Sequence, residues 1–230
     1  MGGGGFMMDD GEPALDAFIL ELARGVRGRD RPRIGWLGTA SADSLPLWLR
    51  FQAAFAARAE TAHLALFERN VEDIESFVLA QDAWYVGGGN TANLLAVWRA
   101  HGVDRALARA HDAGVVLAGL SAGAICWFEA GTTDSYGPTL APLHGGLGML
   151  AGSCCPHYDG EATRRPTYHR LIADGTLPAG YAIDDDAAVV FDGSTLVEAV
   201  AGRDGAIARR VERGPDGTVI ETPLPMRRLP

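Results

Sequence analysis

The sequence contains no lysine, because all 20 basic residues among its 230 are arginine. This absence excludes enzymes that use a Schiff-base lysine, a serine–lysine dyad or the lysine of a phosphate-binding P-loop. The net charge is −9 and the arginines form no basic block, so we expect no nucleic-acid partner. Apolar residues make up 47% of the chain and charged residues 21%, which is typical of a globular protein.

Cysteines and long apolar runs are also scarce. The three cysteines, Cys126, Cys154 and Cys155, are too few for a disulfide framework, and the last two are adjacent. We therefore expect the reducing cytoplasm as the compartment. No apolar run approaches the roughly 18–20 residues of a membrane-spanning helix, and residues 1–10 lack the basic residues of a signal peptide. We expect neither a membrane span nor a signal peptide.

Short apolar runs alternate with helical patterns over the first 130 residues. The pattern predicts strands over 33–37, 62–67, 83–86 and 114–118. It predicts helices over 45–59, 71–79, 91–113 (one helix or two, with a break near Gly102) and 122–129. Near-continuous apolar strands separated by helices indicate a parallel sheet covered by helices on both faces.

The C-terminal part of the chain shows a different pattern. It contains β-like runs separated by Asp-Gly pairs that begin at Asp192, Asp204 and Asp216. An Asp-Gly pair between apolar runs is typical of a β-hairpin turn. We find no linker and no internal repeat, so we predict one α/β domain over residues 1–230, with antiparallel strands at its C-terminal end.

The segment Gly-Leu-Ser-Ala-Gly at 119–123 fits the G-x-S-x-G pattern and lies between a predicted strand and a predicted helix. A sharp strand-to-helix turn of this kind exposes the serine hydroxyl, which makes Ser121 the candidate nucleophile. The N–H of Ala122 would then be a candidate oxyanion donor at the start of the helix. The alternative is an ordinary turn in which Ser121 caps the helix.

A serine nucleophile needs a base, and His157 is the favoured candidate among six histidines. An apolar run leads into Cys-Pro-His-Tyr at 155–158, whereas His144 and His169 are weaker alternatives. The three carboxylates at 184–186 lie between two β-like runs and could orient the base, although such a triplet also suits a solvated turn. In the α/β-hydrolase fold the acid precedes the histidine, and the spacing here leaves little room for that order.

A second glycine cluster, Tyr-Val-Gly-Gly-Gly-Asn-Thr at 85–91, also ends a predicted strand and opens a helix. It does not match the G-x-G-x-x-G pattern of dinucleotide-binding folds. Because the carboxyl ends of parallel strands converge, Gly88 or Gly89 could supply a second oxyanion donor beside Ser121, or the cluster could be a tight turn only. The glycines at 2–5 could form a loop beside a first strand, or belong to a disordered or cloning-derived tail.

Four segments in this order resemble the serine peptidase E and cyanophycinase family: 85–91, 119–123, 155–158 and Gly-Glu-Ala-Thr-Arg at 160–164. A fifth, Ile-Asp-Asp-Asp at 183–186, lies where that family has its third catalytic acid. The resemblance covers about residues 33–200. It implies a class I glutamine-amidotransferase-like three-layer α/β sandwich with a mostly parallel sheet.

The resemblance also implies roles for individual residues. Ser121 would be the nucleophile and His157 the general base, with oxyanion donors at Gly89 and Ala122. The acid falls best on Asp185, with Asp184 and Asp186 as alternatives, where peptidase E members have glutamate.

The substrate site follows from the same resemblance. Arg164 matches, across a one-residue insertion, the arginine that binds the aspartyl carboxylate of the substrate in peptidase E. Gly88 and Asn90 are expected to contact the substrate with it. The alternative is that Arg164, with Arg165 and Arg170, forms the solvated face of a helix.

We therefore expect a serine peptidase that hydrolyses short peptides through an acyl-enzyme on Ser121, dipeptidase-like and favouring an acidic N-terminal residue. The segment 131–146, which we expect to be a loop, could exclude long chains, alone or with the second subunit of a homodimer. One alternative is a cyanophycinase-like hydrolase of Asp-Arg peptides, and another is a non-catalytic binding protein of the same fold. A cysteine hydrolase using Cys126 or Cys155 is disfavoured. A metal site at His157, Asp159, Glu161 and His169 fits no standard spacing, so we expect no metal and no cofactor.

Overall fold

Strands and helices alternate through the first half of the chain, as the apolar pattern predicts. The computed structural model describes residues 1–8 and 13–230. Short 3-10 turns cover Gly5–Met7 and Thr39–Ser41. The longer elements are α1 (Ala14–Arg27), β1 (Arg33–Leu37), α2 (Leu45–Phe55), β2 (Glu60–His63), α3 (Ile74–Leu79), β3 (Ala83–Val86), α4 (Thr91–His101), α5 (Val103–Asp112) and β4 (Val116–Gly119).

The second half of the chain is dominated by strands. Two helices lie in it, α6 (Ala122–Ile125) and α7 (Arg164–Ala173), within the part that the structure describes. The strands are β5 (Phe128–Thr133), β6 (Ala141–His144), β7 (Leu150–Cys155), β8 (Gly180–Ile183), β9 (Ala187–Asp192), β10 (Thr195–Ala201), β11 (Ala208–Arg213), β12 (Val219–Pro223) and β13 (Met226–Arg228).

The strands of the first half form an all-parallel sheet in the order β2-β1-β3-β4. A mixed sheet has the order β12-β11-β8-β7-β5-β6, in which the central strands β8, β7 and β5 run parallel. In that sheet β6 and β11 pair antiparallel with their neighbours. A smaller sheet has the order β13-β10-β9. The segments that follow β3 and β4 therefore meet at one edge, because parallel strands end on the same side.

Helices cover both faces of the parallel sheet. On one face, α1 and α2 pack against the sheet through buried side chains that include Ile19, Phe51 and Phe55, which meet Trp36 and Tyr85. On the other face, α4 and α5 contribute a second cluster, in which Leu94, Trp98 and Leu107 join Trp84 and Val86. This arrangement matches the prediction of a sheet that is buried on both sides.

Three predicted elements of the first 130 residues differ most from the structure in their extent, while α3 and β4 begin at residues 74 and 116 instead of 71 and 114. The second helix ends at Phe55 instead of residue 59, because residues 56–58 form a turn. The strand predicted over 62–67 is β2 at 60–63, because the N–H groups of Leu66 and Phe67 leave the sheet and donate to the Asp43 carboxylate. The helix predicted over 122–129 stops at Ile125, since the chain from Phe128 onward pairs with β7.

Turn chemistry predicts two hairpins correctly and one wrongly. Asp192-Gly193 joins the antiparallel pair β9 and β10, and Asp216-Gly217 joins β11 and β12. Asp204-Gly205 connects β10 with β11, which lie in different sheets, so it forms no hairpin. The segment 131–146, expected to be a loop, contains the end of β5 and all of β6, which pair antiparallel and place His144 in a strand.

The N-terminal glycines are part of the fold. The ring of Phe6 lies among four aromatic rings, with centroid distances of 5.1 Å to Tyr85 and 5.5 Å to Trp36. The preceding backbone is hydrogen-bonded, since Gly2 N–H donates to Ala187 O at 3.1 Å. Of the two sequence alternatives for residues 2–5, a loop within the structure is therefore the one observed.

Asp16 ties this N-terminal segment to α1 and β3. One of its carboxylate oxygens accepts from Phe6 N–H at 2.7 Å, and the other accepts from the Tyr85 hydroxyl at 3.3 Å. The residue is buried, and this burial raises the pKa of Asp16 to about 6 against the opposing effect of its hydrogen bonds.

Because the folded state favours the protonated Asp16, its stabilising contribution is largest below pH 4 and is lost as pH rises through about 6. We expect Asp16→Asn to remove this dependence. The difference in unfolding free energy between variant and wild type should shift in favour of the variant by up to about 3 kcal/mol between pH 4 and pH 7.5. Urea unfolding at a series of pH values measures this difference. A difference that stays constant with pH would contradict the raised pKa of Asp16.

Candidate active site

Ser121 lies on a tight turn between β4 and α6, with φ 53° and ψ −117°. The two glycines of the G-x-S-x-G pattern permit this turn. A Cβ on Gly119 would lie 2.1 Å from Gly123 O, and one on Gly123 would lie 2.3 Å from Val86 O. Both contacts are with backbone atoms, which cannot move aside without displacing α6 or β3. The turn therefore requires glycine at both of these positions of the G-x-S-x-G pattern.

The glycine cluster after β3 lies beside Ser121, as the convergence of parallel strands predicts. A Cβ on Gly88 would be 3.2 Å from Ser121 Cβ and 3.7 Å from its Oγ. Gly89 has a φ of 133° and packs so closely on Ala40 O that a Cβ would lie 2.3 Å from it. Among the described residues, the backbone N–H groups of Gly88, Gly89 and Ala122 donate no hydrogen bond. These donors are available to a ligand near Ser121.

His157 and Asp185 form a hydrogen-bonded pair. The imidazole Nδ1–H donates to Asp185 Oδ1 at 2.6 Å, and both side chains are largely shielded from solvent. This contact fixes the tautomer and leaves Nε2 as an acceptor. His157 follows Pro156 at the end of β7 and has a φ of 53°. The apolar run that precedes His157 in the sequence contains this strand, β7.

The structure distinguishes the three consecutive aspartates by their partners. Asp184 accepts from Arg209 at 2.7 Å, and Asp186 lies 3.4 Å from the Arg203 guanidinium. Asp185 is the one that reaches the imidazole. Its own N–H donates to Asp159 Oδ1 at 2.8 Å, which holds the loop between β8 and β9 in place.

The N-terminal glycines connect the serine turn with the histidine–aspartate pair. Ser121 N–H donates to Gly2 O at 3.2 Å, while Gly3 forms a parallel bridge with Asp185 and accepts from Asp186 N–H at 3.1 Å. A Cβ on Gly3 would lie 2.3 Å from Asp185 Oδ1 and 2.8 Å from His157 Cε1. The glycine segment thus contacts the backbone of Ser121 and the side chain of His157. Within residues 1–8 and 13–230 no hydrogen bond joins Ser121 Oγ to His157.

This contribution of Gly2 and Gly3 was missed in the sequence. Their signal was the run of four glycines at 2–5, which resembles the cluster at 87–89 that was assigned to the site. Consecutive glycines at such a position indicate that backbone and side chains approach more closely than a Cβ allows.

Comparison with known proteins identifies the family of the chain. The model of Peptidase family S51 matches residues 1–199. The Uncharacterized peptidase YgaJ of Bacillus subtilis (strain 168) is 49% identical over 230 residues, which are 100% of this chain and 97% of that protein. The chain belongs to peptidase family S51.

Two solved structures show the same fold. A peptidase from an acI-B1 Actinobacterium superposes with a TM-score of 0.69 at 17% identity, covering 98% of this chain and 92% of that one. A putative peptidase E from Listeria monocytogenes EGD-e gives a TM-score of 0.53 at 18% identity, covering 90% and 93%. The predicted fold, a class I glutamine-amidotransferase-like α/β sandwich, and the predicted family are confirmed. The S51 chain is a peptidase.

Asn90 has a structural position in this S51 peptidase. Its side-chain oxygen accepts from Asn93 N–H at 2.8 Å and so caps α4, while its amide donates to Ser135 O at 3.0 Å. Both ends of the side chain are engaged. A substrate contact from residue 90 would have to come from its backbone or displace these bonds.

Arg164 is buried, whereas its neighbours Arg165 and Arg170 are exposed. The alternative in which Arg164 belongs to a solvated helix face is therefore wrong. The guanidinium donates to both carboxylate oxygens of Glu161, at 2.8 and 3.3 Å, and to Thr132 O at 3.3 Å. Glu161 is itself about half exposed, with a side-chain exposure of 47%.

The cysteines do not offer a nucleophile. All three are free and buried, and burial raises the pKa of both Cys154 and Cys155 to about 12. A thiol with such a pKa stays protonated at neutral pH, and the thiolate is the reactive form. The cysteine-hydrolase alternative is therefore not supported.

The four residues considered as metal ligands have separate partners. His157 binds Asp185, Glu161 binds Arg164, and Asp159 binds both Asp185 N–H and Arg203. His169 donates to Glu221 and lies 3.0 Å from the Tyr158 hydroxyl. They do not converge on one point.

In the described part of the chain no helix is long and apolar enough to cross a bilayer.

We expect Gly3→Ala to separate His157 from Asp185, since the added methyl group would occupy the space of the carboxylate oxygen. The low-field proton resonance of a hydrogen-bonded imidazole N–H should be lost, and the unfolding free energy should fall by about 1–3 kcal/mol. Gly25→Ala is the matched control, because a Cβ at Gly25 meets no atom within 4 Å. A Gly3→Ala protein with an unchanged resonance would contradict this geometry.

Proposed function

We propose that this S51 peptidase is a serine peptidase that hydrolyses short peptides through an acyl-enzyme on Ser121. The observation that carries the proposal is the His157–Asp185 pair, held at 2.6 Å beside the glycine segment that also binds the Ser121 backbone. A base oriented by a carboxylate is what a serine hydroxyl needs to become a nucleophile.

In the proposed reaction, His157 Nε2 takes the proton of Ser121 Oγ as the oxygen attacks the peptide carbonyl carbon. The carbonyl oxygen becomes an alkoxide, which accepts hydrogen bonds from the N–H groups of Gly89 and Ala122. The protonated His157 then gives its proton to the leaving amine as the C–N bond breaks. A water molecule, activated by the same imidazole, hydrolyses the ester and restores Ser121. Asp185 stabilises the imidazolium in both halves of the reaction.

We further propose that Arg164 recognises an acidic N-terminal residue of the substrate. Its buried guanidinium now binds a carboxylate, that of Glu161, in the two-pronged geometry that suits any carboxylate. Because Glu161 is half exposed, it can leave, and a substrate carboxylate can take its place. Gly88, beside Ser121, would let the substrate backbone approach the serine.

The whole chain would act as one catalytic domain, since the N-terminal residues Gly2 and Gly3 contact the segments that carry Ser121, His157 and Asp185. We place it in the cytoplasm, where its three buried thiols would stay reduced.

Ser121→Ala should lower kcat on the order of 10⁶-fold if serine and histidine act as a unit. Labelling of Ser121 by a fluorophosphonate should be lost in both Ser121→Ala and His157→Ala, because one removes the oxygen and the other its base. Ser44→Ala is the control, since the Ser44 side chain makes no capping hydrogen bond. A Ser121→Ala protein that keeps more than about a tenth of the wild-type turnover would end the serine hypothesis.

The substrate preference can be tested with a panel of Asp-X, neutral and basic dipeptides, including β-linked Asp-Arg. We expect Glu161→Gln to lower KM for Asp-X about tenfold and to leave neutral dipeptides unchanged, since it frees the guanidinium. Arg164→Gln should raise KM for Asp-X alone. Equal effects on all dipeptides would show that the Arg164–Glu161 pair is structural only. Fastest cleavage of the β-linked peptide would instead favour a cyanophycinase-like hydrolase.

A further inference from the structure

The turn that follows β5 exposes an aromatic side chain. Tyr136 is 64% exposed, whereas the other four tyrosines of the chain are buried or half-buried. Within residues 1–8 and 13–230, its ring stacks on no other ring and its hydroxyl makes no hydrogen bond. Packing inside the protein therefore does not account for an aromatic residue at this position.

The backbone that carries Tyr136 is nevertheless firmly held. The N–H of Ser135 donates to Thr133 Oγ1 at 3.2 Å, and the two hydroxyl oxygens are 2.7 Å apart. Gly137 N–H donates to Asp134 O at 3.2 Å, which closes the turn around the two residues between them. The exposed ring is thus presented to solvent from a fixed backbone, an arrangement typical of binding residues on loops.

The same turn is attached to the loop that follows β3. Ser135 O accepts from the Asn90 side-chain amide at 3.0 Å, and Ser135 Oγ accepts from Ala92 N–H at 3.2 Å in the first turn of α4. Asn90 directly follows Gly89, whose N–H is one of the two proposed oxyanion donors. Tyr136 therefore lies on the oxyanion side of the candidate site.

Strand β5 connects this turn with Arg164. Thr132 O, near the end of β5, accepts from the Arg164 guanidinium at 3.3 Å, and Tyr136 follows four residues later. In the proposed function, Arg164 holds the N-terminal residue of the substrate. The segment 132–136 thus extends from the arginine that would bind this residue to the loop that would bind its carbonyl oxygen.

The position of His157 indicates which part of the substrate faces Tyr136. In the proposed reaction His157 gives its proton to the leaving amine, so the leaving residue lies on the His157 side of the scissile bond. His157 follows β7, whereas the turn of Tyr136 follows β5 and is bonded to the start of α4. The acyl part of the substrate, which contains the N-terminal residue, is therefore the part that meets Tyr136.

We propose that Tyr136 covers the acyl side of the site and limits it to one residue before the scissile bond. A second residue on that side would collide with the ring, and the turn cannot yield without losing the hydrogen bonds of Ser135. The selection of short peptides would then depend on a single exposed side chain. This inference rests on the proposed function.

The test compares three substrates: the dipeptide that the wild type cleaves fastest, this dipeptide with glycine added before it, and the same dipeptide with glycine added after it. Products are identified by mass, so that only cleavage of the original bond is counted. We expect Tyr136→Ala to raise kcat/KM for the peptide with the preceding glycine at least about tenfold, because the obstructing ring is removed. The other two substrates should change by less than about threefold.

Two variants serve as controls. Tyr136→Phe keeps the ring and should keep the wild-type selectivity, since the ring and not the hydroxyl forms the obstruction. Phe67→Ala removes an aromatic side chain that is 53% exposed after β2, and it should also leave the selectivity unchanged.

An unchanged ratio of kcat/KM between the peptide with the preceding glycine and the dipeptide in Tyr136→Ala would overturn the proposal. A gain confined to the peptide with the following glycine would overturn it too, because the ring would then face the leaving residue. An active Tyr136→Ala protein with wild-type selectivity refutes this inference alone and leaves the proposed function intact. If the wild type cleaves no dipeptide, the proposed function fails, and this role of Tyr136 fails with it.

Discussion

The candidate site depends on a backbone contact between two sheets. Ser121 and the glycines after β3 belong to the parallel sheet, whereas His157 and Asp185 follow strands of the mixed sheet. The segment Gly2–Gly3 lies between them and is hydrogen-bonded to both, to Ser121 N–H on one side and to Asp186 N–H on the other. The relative position of serine and histidine is therefore set by main-chain hydrogen bonds, which are less adaptable than side-chain contacts.

Such a contact is possible only where side chains are absent. The backbone at Gly3 approaches Asp185 and His157, and the backbone at Gly123 approaches Val86, each more closely than a Cβ permits. Glycine loses more conformational entropy on folding than other residues do, and the close contacts of the packed segments offset this cost. Asp16 adds to this rigidity, because its carboxylate accepts a hydrogen bond from the N–H of Phe6, whose ring packs in the aromatic cluster.

The sequence predicts those features that depend on local patterns. The strands of the first half are recognisable because buried parallel strands are continuous apolar runs, and β1 and β3 have the predicted bounds. The end of α6 could not be predicted in this way, since residues 126–128 are apolar and suit a helix or a strand, and the pairing partner of this segment, β7, begins only at residue 150. The same limit applies to Asp204-Gly205, where the choice of sheet depends on long-range contacts.

Side-chain partners were the hardest part of the site to predict. Asp184, Asp185 and Asp186 are chemically identical in the sequence, and only the register of the loop against Gly3 directs one of them to the imidazole. The burial of Arg164 was missed as well, although its partner Glu161 lies three residues before it.

The distribution of charge around His157 explains why one aspartate can serve the imidazole while its neighbours do not compete. Asp184 faces Arg209 and Asp186 faces Arg203, so each of the flanking carboxylates lies beside a guanidinium. A guanidinium stays charged at any pH the protein meets, which keeps these pairs constant. Without these guanidinium groups, Asp184 and Asp186 would be competing acceptors for the imidazole N–H of His157. Because Arg209 and Arg203 engage its two neighbours, Asp185 is the acceptor that faces His157.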